Sequence, residues 1–283
     1  MRPNIVSVTD AFHSYIRESL SNGIKPKTIK NYRSILASFV KCNGDIPVAI
    51  VNDDLILKWK IYMDERGNSK SSISSSLSRL RMVLRYCRKK GIKVMDYDDI
   101  ELPRFQNRPP TFLDYSEIQL MIDCAPKPRE KAIIAMLFST GCRITELLNL
   151  NREDIHGHEA MVVGKGDKYR PVYIDATAMK YLTDYLMTRR DTLRPLFISA
   201  QRSRLTVSRV QQQIHEIADW AGIDKRVTPH VFRHSYGTDL HRNGAPLLHI
   251  KELLGHEKIS STVIYTHITS PERQEVYNKY HSK

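Results

Sequence analysis

Hydrophobic side chains recur every three to four positions through most of the chain, which is the spacing of amphipathic helices. Proline and polar residues interrupt this periodicity at 102–110, for about the length of a linker. Before the interruption, the pattern predicts four helices, over residues 9–20, 27–42, 53–66 and 70–90.

After residue 110 the pattern combines further helices with one strand-like stretch. Asp114 and Glu117 have the spacing of an acidic capping box at a helix start, and Gly141 ends a hydrophobic helix. Alternation predicts two strands joined by a hairpin loop, over residues 159–163 and 169–174. The other predicted helices cover residues 128–140, 176–189, 208–221, 230–242, 247–254, 260–266 and 271–280. The fold class is therefore mainly α with a small antiparallel β-sheet.

The same patterns divide the 283 residues into four parts. These are an N-terminal helical domain at 1–103, a linker at 104–110, a second domain at 111–270 and a tail helix at 271–283. Each domain is long enough to bury its own core. The N-terminus lacks the apolar run of a signal peptide, and the longest apolar stretch, 132–138, is too short to span a bilayer. We therefore expect a cytoplasmic protein with no membrane partner.

Charge favours a polyanionic partner, because 44 lysines and arginines face 31 acidic residues for a formal net charge of +13. Two segments, 24–41 and 70–93, hold five and eight basic residues and no acidic ones. The second opens with a run of serines whose hydroxyls suit phosphate contacts as well as capping. A merely solvated helix face is the alternative. The basic positions predicted to face the polyanion are Lys25, Lys27, Lys30, Arg33, Lys70, Arg79, Arg81 and Arg85.

The cysteines and histidines do not have the spacing of a metal site. Four cysteines occur without a Cys-x-x-Cys pair, so we interpret them as reduced thiols in or near the core. His230 and His234 are four residues apart, as in zinc proteases, but Val231 stands where that motif needs its glutamate. We expect no bound metal.

Six polar side chains in the second half of the chain form an informative set. They lie in the motifs Gly-Cys-Arg-Ile-Thr-Glu-Leu, Gly-Lys-Gly, His-Val-Phe-Arg-His, Leu-Leu-Gly-His and Thr-Val-Ile-Tyr-Thr. The six are Arg143, Lys165, His230, Arg233, His256 and Tyr265. Each motif alone has an ordinary structural explanation. Together, two guanidiniums, an ammonium, two imidazoles and a phenol are the groups that cut a phosphodiester through a covalent protein–phosphate bond.

In this order and with these neighbours, the set resembles the catalytic domain of the tyrosine recombinases, the DNA breaking and joining enzymes that include phage integrases and Xer recombinases. The resemblance covers about the whole chain, because a basic helical segment of the right size precedes the motifs. It implies an N-terminal core-binding domain of SAM-like fold and a C-terminal catalytic domain, together forming a C-shaped clamp on DNA. Thr145 departs from the family pattern, since Xer-like proteins often carry serine there.

Chemistry and resemblance together assign a role to each residue of the set. Paired guanidinium hydrogen bonds suit the non-bridging phosphate oxygens, which fits Arg143 and Arg233. Lys165 is the expected general acid for the departing 5′-oxygen. The resemblance implies that His230 assists as base, that His256 hydrogen-bonds the phosphate and that Tyr265 is the nucleophile. Glu146 is expected to orient a cationic neighbour; an ordinary glutamate of a first helical turn is the alternative.

The resemblance implies a site-specific recombinase that needs no cofactor, no ATP and no metal. Its expected partners are double-stranded DNA sites, further copies of the chain in a tetramer, and a possible partner recombinase or DNA motor protein. Its expected place is the nucleoid, and its expected task is Xer-like resolution of chromosome or plasmid dimers. The alternatives are an integrase of a mobile element or virus, a DNA-binding accessory protein without catalysis, and a topoisomerase. The tail at 271–283 is expected to contact a neighbouring subunit, with docking on its own domain as the alternative.

Overall fold

A computed structural model describes residues 6–24, 26–105, 110–164 and 168–255, with the side chains of Pro26 and Lys27 left out. The chain divides into two compact units, Met1–Asn107 and Arg108–Lys283, and the division falls inside the predicted linker. In the described ranges, no helix is long and apolar enough to cross a membrane.

The first unit is a bundle of four helices. They are α1 (Val8–Ser21), α2 (Pro26–Asn43), α3 (Asp53–Glu65) and α4 (Lys70–Lys89). Polar side chains cap three of the helix starts, since Ser7, Asn52 and Ser69 each accept a hydrogen bond from a backbone amide of the first turn. The core is built around aromatic and leucine side chains that are fully buried, among them Phe12, Phe39, Trp59, Leu77 and Leu84.

The described part of the second unit contains seven helices and a small sheet. The helices are α5 (Tyr115–Cys124), α6 (Pro128–Thr140), α7 (Ile144–Asn149), α8 (Ala176–Thr188), α9 (Val207–Trp220), α10 (Pro229–Arg242) and α11 (Leu247–Leu254). Helix α6 is the central element, because it is buried on most sides and packs against α5, α8 and α10. The predicted capping box opens α5, where the Asp114 amide donates to Glu117 Oε2 over 2.8 Å.

The sheet is antiparallel, in the order β1 (Ile155–His156), β2 (Glu159–Val163) and β3 (Tyr169–Tyr173). Ala160 and Val162 of β2 point into the core, as does Val172 of β3. In the register, Ala160 pairs with Val172 and Val162 pairs with Arg170. This register places the Arg170 side chain on the inner face of the sheet.

The predicted fold class is confirmed, as are the helices and both strands that fall within the described ranges, with ends that differ by one or two residues. Strand β1 was not predicted, because two residues are too few for an alternation of polar and apolar positions. The predicted helices at 260–266 and 271–280 lie outside the described residues. All four cysteines are free thiols, and Cys87 and Cys142 are buried.

Candidate active site

Arg143 lies at the junction of α6 and α7. Helix α6 ends at Gly141, whose φ of 55° is a left-handed conformation that favours glycine. A Cβ atom at Gly141 would also overlap the aromatic ring of Tyr236 on α10, so only glycine fits there. The buried Cys142 follows, and burial raises the pKa of its thiol to about 11. Arg143 is then the first residue before α7, with its side chain 40% exposed.

Glu146, in the first turn of α7, binds two arginines. Its Oε1 atom accepts from Arg143 Nη1 at 2.7 Å, and its Oε2 atom accepts from the Arg143 backbone amide at 2.9 Å. The Oε2 atom also accepts from Arg170 Nη2 of β3 at 2.8 Å. Glu146 therefore contacts Arg143 at both the guanidinium and the backbone amide, and the orienting role expected for Glu146 stays a prediction.

Glu146 is held in its charged form by these partners. Only 3% of its side chain is exposed, and this burial by itself raises the pKa of a carboxyl group. The hydrogen bond from the Arg143 amide and the charges of Arg170 and Arg143 outweigh the burial, so the pKa of Glu146 is lowered. The carboxylate is anionic at neutral pH and neutralises one guanidinium.

Arg233 connects three elements from its position on α10. Its side chain is buried, at 2% exposure. Nη1 donates to the carbonyl of Gly141 over 2.9 Å, at the junction that carries Arg143, and Nη2 donates to the carbonyl of Leu254 at the end of α11. The arginine thus joins α10 to the two segments that precede Arg143 and His256 in sequence.

His230 lies one helical turn before Arg233 on α10, so the two share a helix face. The residue as a whole is exposed, while one side of its imidazole is covered by the ring of His234, which it meets edge to face with centroids 4.7 Å apart. Loss of water around the ring lowers the pKa of His230, and the charges of Arg233 and Arg143 lower it further. Arg233 and Arg143 are therefore close enough to His230 for their charges to act on it. The lowered pKa favours a neutral imidazole.

Three members of the predicted set, Lys165, His256 and Tyr265, lie outside the described residues. The elements beside two of them are described. Gly164 and Lys168 close the connection between β2 and β3 with a backbone hydrogen bond of 2.8 Å. Helix α11 ends at Gly255 with a left-handed φ of 63°, and His256 is the next residue.

Arg170 is the site residue that the sequence interpretation missed. The guanidinium donates to Glu146 and, through Nη1, to the Leu253 carbonyl of α11 over 2.7 Å. A signal was present: the alternation of residues 170, 172 and 174 along β3 places Arg170 on the same face as Val172 and Ile174, which are core residues. A buried guanidinium requires a carboxylate partner, and Glu146 is the buried one nearest to Arg143 in sequence.

The predicted polyanion-binding residues of the first unit lie on α2 and α4. Lys30, Arg33, Lys70 and Arg85 are exposed, whereas Lys25 and the side chain of Lys27 lie outside the described part. Between the two helices is an open groove of about 440 Å³, lined by Asn31, Ser34, Ile35, Ser71, Ser72, Ser75 and Arg79. Three serines of the run, Ser71, Ser72 and Ser75, thus line the groove beside Arg79.

Arg79 and Arg81 differ from the exposed residues of that set. Arg79 lines the groove while Nη1 donates to the Ser75 carbonyl over 2.9 Å. Arg81 instead binds the carbonyls of Asp98 and Ile100, beyond the end of α4. The Arg81 guanidinium thus holds the segment that follows the bundle.

Comparison with known proteins identifies the class. Residues 111–272 match the phage integrase family, and residues 7–100 match the phage integrase SAM-like domain. The tyrosine recombinase XerD of Oceanobacillus iheyensis is 30% identical, with 98% of each chain covered. This chain therefore belongs to the phage integrase family of tyrosine recombinases. Within that family it is a Xer-like site-specific recombinase.

Two solved structures share the fold. The XerH site-specific recombinase bound to its palindromic difH substrate, in a post-cleavage complex, matches with a TM-score of 0.72 at 23% identity, covering 90% of this chain and 80% of that one. The Tn1549 transposon integrase in complex with transposon right end DNA matches with a TM-score of 0.83 at 17% identity, covering 98% of this chain and all of that one.

Proposed function

We propose that this recombinase cleaves and rejoins double-stranded DNA through a 3′-phosphotyrosyl intermediate formed on Tyr265. The observation that carries the proposal is the cluster of Arg143, Arg233 and His230: Arg233 Nη1 donates to the Gly141 carbonyl two residues before Arg143, and His230 lies one turn before Arg233 on the same helix. Such a cluster offers donors for a phosphate and a neutral base beside them, and the sequence supplies a tyrosine nine residues after His256.

The charge balance of the cluster suits a phosphate that gains negative charge in the transition state. Among the described residues, the cluster holds the guanidiniums of Arg143, Arg170 and Arg233 and one buried carboxylate, that of Glu146, which binds two of them. The Arg143 side chain is 40% exposed, so its guanidinium is accessible to a phosphate. Removing one preorganised donor of this kind typically costs about 10²–10³ in rate.

The remaining roles follow the same chemistry. His230, neutral at physiological pH, acts as the base that assists the phenol of Tyr265. Lys165, in the connection between β2 and β3, protonates the 5′-oxygen as it leaves, and His256 hydrogen-bonds the phosphate. A 5′-hydroxyl from another strand then attacks the tyrosyl ester, so the strands exchange with no external energy source.

The first unit supplies DNA binding in this proposal. Lys30 and Arg33 on α2 and Lys70 and Arg85 on α4 contact phosphates, and the polar groove between the helices faces the duplex. Two relatives of the same fold were solved as DNA complexes, which supports a duplex as the partner. The XerD-named relatives support a Xer-like recombinase. We further propose that it resolves chromosome or plasmid dimers as a tetramer, with the integration of a mobile element as the alternative.

The test is covalent trapping on a nicked suicide duplex, from which the cleaved strand cannot be rejoined. Tyr265→Phe should abolish the protein–DNA adduct and leave DNA affinity unchanged, because only the nucleophilic oxygen is removed. Tyr277→Phe is the matched control and should form the adduct at the wild-type rate. An adduct that survives in Tyr265→Phe and maps to Tyr277 or Tyr280 would contradict the assignment.

A further inference from the structure

Arg170 makes two hydrogen bonds that join separate elements of the site. From β3, one end of the guanidinium reaches Glu146 on α7 and the other reaches the Leu253 carbonyl at the end of α11. Its side chain is 12% exposed, too enclosed for a residue whose main task is to contact DNA. Its Cδ and Nε atoms also lie where a Cβ of Gly255 would be, so the glycine before His256 packs directly on it.

The bond to Glu146 determines how that carboxylate can hold Arg143. With Arg170 on Oε2, only Oε1 is left for the Arg143 side chain, which donates a single hydrogen bond, from Nη1, among the described residues. A carboxylate without a second cation would take both ends of a guanidinium in a bidentate pair, the stronger arrangement. Such a pair would withdraw the Arg143 donors that a phosphate needs.

The bond to Leu253 acts on the other side of the site. Arg170 holds the Leu253 carbonyl and Arg233 holds the Leu254 carbonyl, so two arginines bind the last turn of α11. These are carbonyls that a helix leaves without partners at its C-terminal end. The same turn leads into Gly255 and His256.

We propose that Arg170 is a positioning residue for strand cleavage. It occupies one oxygen of the Glu146 carboxylate, so that Arg143 keeps hydrogen-bond donors for the scissile phosphate. It also fixes the end of α11 beside Glu146 and Arg143. The proposal rests on the proposed function, because it presumes that Arg143 binds that phosphate.

Arg129 provides a matched control in the same unit. It too spans a buried carboxylate and a carbonyl, with Nη2 on Glu130 Oε1 at 2.7 Å and Nη1 on the Ile198 carbonyl at 2.8 Å. Its side chain is 17% exposed, close to that of Arg170. Substitutions at the two arginines should therefore lower the melting temperature by similar amounts. A difference between their cleavage rates would then come from the place of Arg170 in the site and not from a loss of folding.

The experiment measures single-turnover cleavage of the suicide duplex at saturating protein, together with DNA affinity and melting temperature, for Arg170→Gln and Arg129→Gln. Arg170→Gln should cleave about 10²-fold more slowly with unchanged affinity, since small displacements of a phosphate-binding group have effects of that size. Arg129→Gln should cleave at the wild-type rate. If the glutamine variants do not fold, Arg170→Lys and Arg129→Lys replace them, because lysine keeps the charge. Arg170→Lys should cleave faster than Arg170→Gln but more slowly than the wild type.

A double-mutant cycle tests whether Arg170 acts through Glu146. In the wild-type protein, Glu146→Gln should slow cleavage, because Arg143 loses its orienting partner. In the Arg170→Gln variant, the same change should slow cleavage less or make it faster. Equal rates for Arg170→Gln and Arg129→Gln, or strictly additive effects of Arg170→Gln and Glu146→Gln, would overturn the proposal. If wild-type protein forms no adduct at all, the proposed function fails instead.

Discussion

At the scale of single residues, Glu146 organises the described part of the site. Its two oxygens accept from the Arg143 side chain, the Arg143 amide and the Arg170 side chain. The contact between Glu146 and Arg143 could be predicted, because the two residues are three positions apart at one helix start. The contact with Arg170 could not be predicted from local spacing, since the two residues are 24 positions apart in sequence and two strands lie between them.

Residue chemistry also predicts a pH dependence. A general base works only when deprotonated, and the pKa of His230 lies below its ordinary value of 6.5 because of partial loss of water around the ring and the charges of Arg233 and Arg143. As the pH falls from neutral, the cleavage rate should therefore decline with a midpoint below pH 6.5. Single-turnover rates on the suicide duplex, measured across this range, check the prediction. The His230→Gln variant should show no such decline, and a wild-type midpoint at or above 6.5 would contradict it.

At the scale of elements, hydrophobic periodicity was sufficient for the helices, because each buries one face against a core. The sequence did not predict which charged side chains are exposed and which bind other parts of the chain. Helix α4 carries basic residues on several faces, and the pattern did not distinguish Arg85, which is exposed, from Arg81, which binds the carbonyls of Asp98 and Ile100. That difference arises because the segment after α4 folds back against Arg81, and local spacing does not predict this contact.

This difference leads to a prediction about salt. Observed DNA affinity should fall steeply with ionic strength, and exchanging Lys30, Arg33, Lys70 or Arg85 for glutamine should each lower the logarithmic slope by about 1. Arg81→Gln should instead lower the melting temperature, because it frees two carbonyls. Binding titrations over a range of salt measure the slope, with the exposed Lys58 of α3 exchanged for glutamine as control. An unchanged slope in the combined four-residue variant would mean that this face is only solvated.

At the scale of the whole molecule, composition and order of motifs were enough to predict two domains and the class of chemistry. The net charge of +13 indicated a polyanion, and the motif order indicated a recombinase. Each unit has its own buried core of the size expected for an independent domain. The assembly of several chains depends on surfaces that a single sequence does not mark, which is why the tail at 271–283 remains a prediction.

Deleting residues 271–283 should separate binding from assembly. The amphipathic pattern of this tail offers too little apolar surface to fold alone, so it needs a groove, which we place on a neighbouring subunit. The truncated protein should bind single sites normally but should be impaired in synapsis and strand exchange. Gel-shift and recombination assays on paired sites measure the two steps. Wild-type recombination by the truncated protein would show that the tail does not couple subunits.

The packing of Gly141 beneath Tyr236 has a consequence for the cell. Any side chain at this position meets both an unfavourable φ and the tyrosine ring, and the strain falls on the segment that leads directly into Arg143. In the proposed function the first unit binds DNA, and its helices have a separate core, so a copy with this change would still occupy recombination sites. Such a copy would be a dominant-negative competitor: one point mutation would turn the enzyme into an inhibitor of its own unmutated copies.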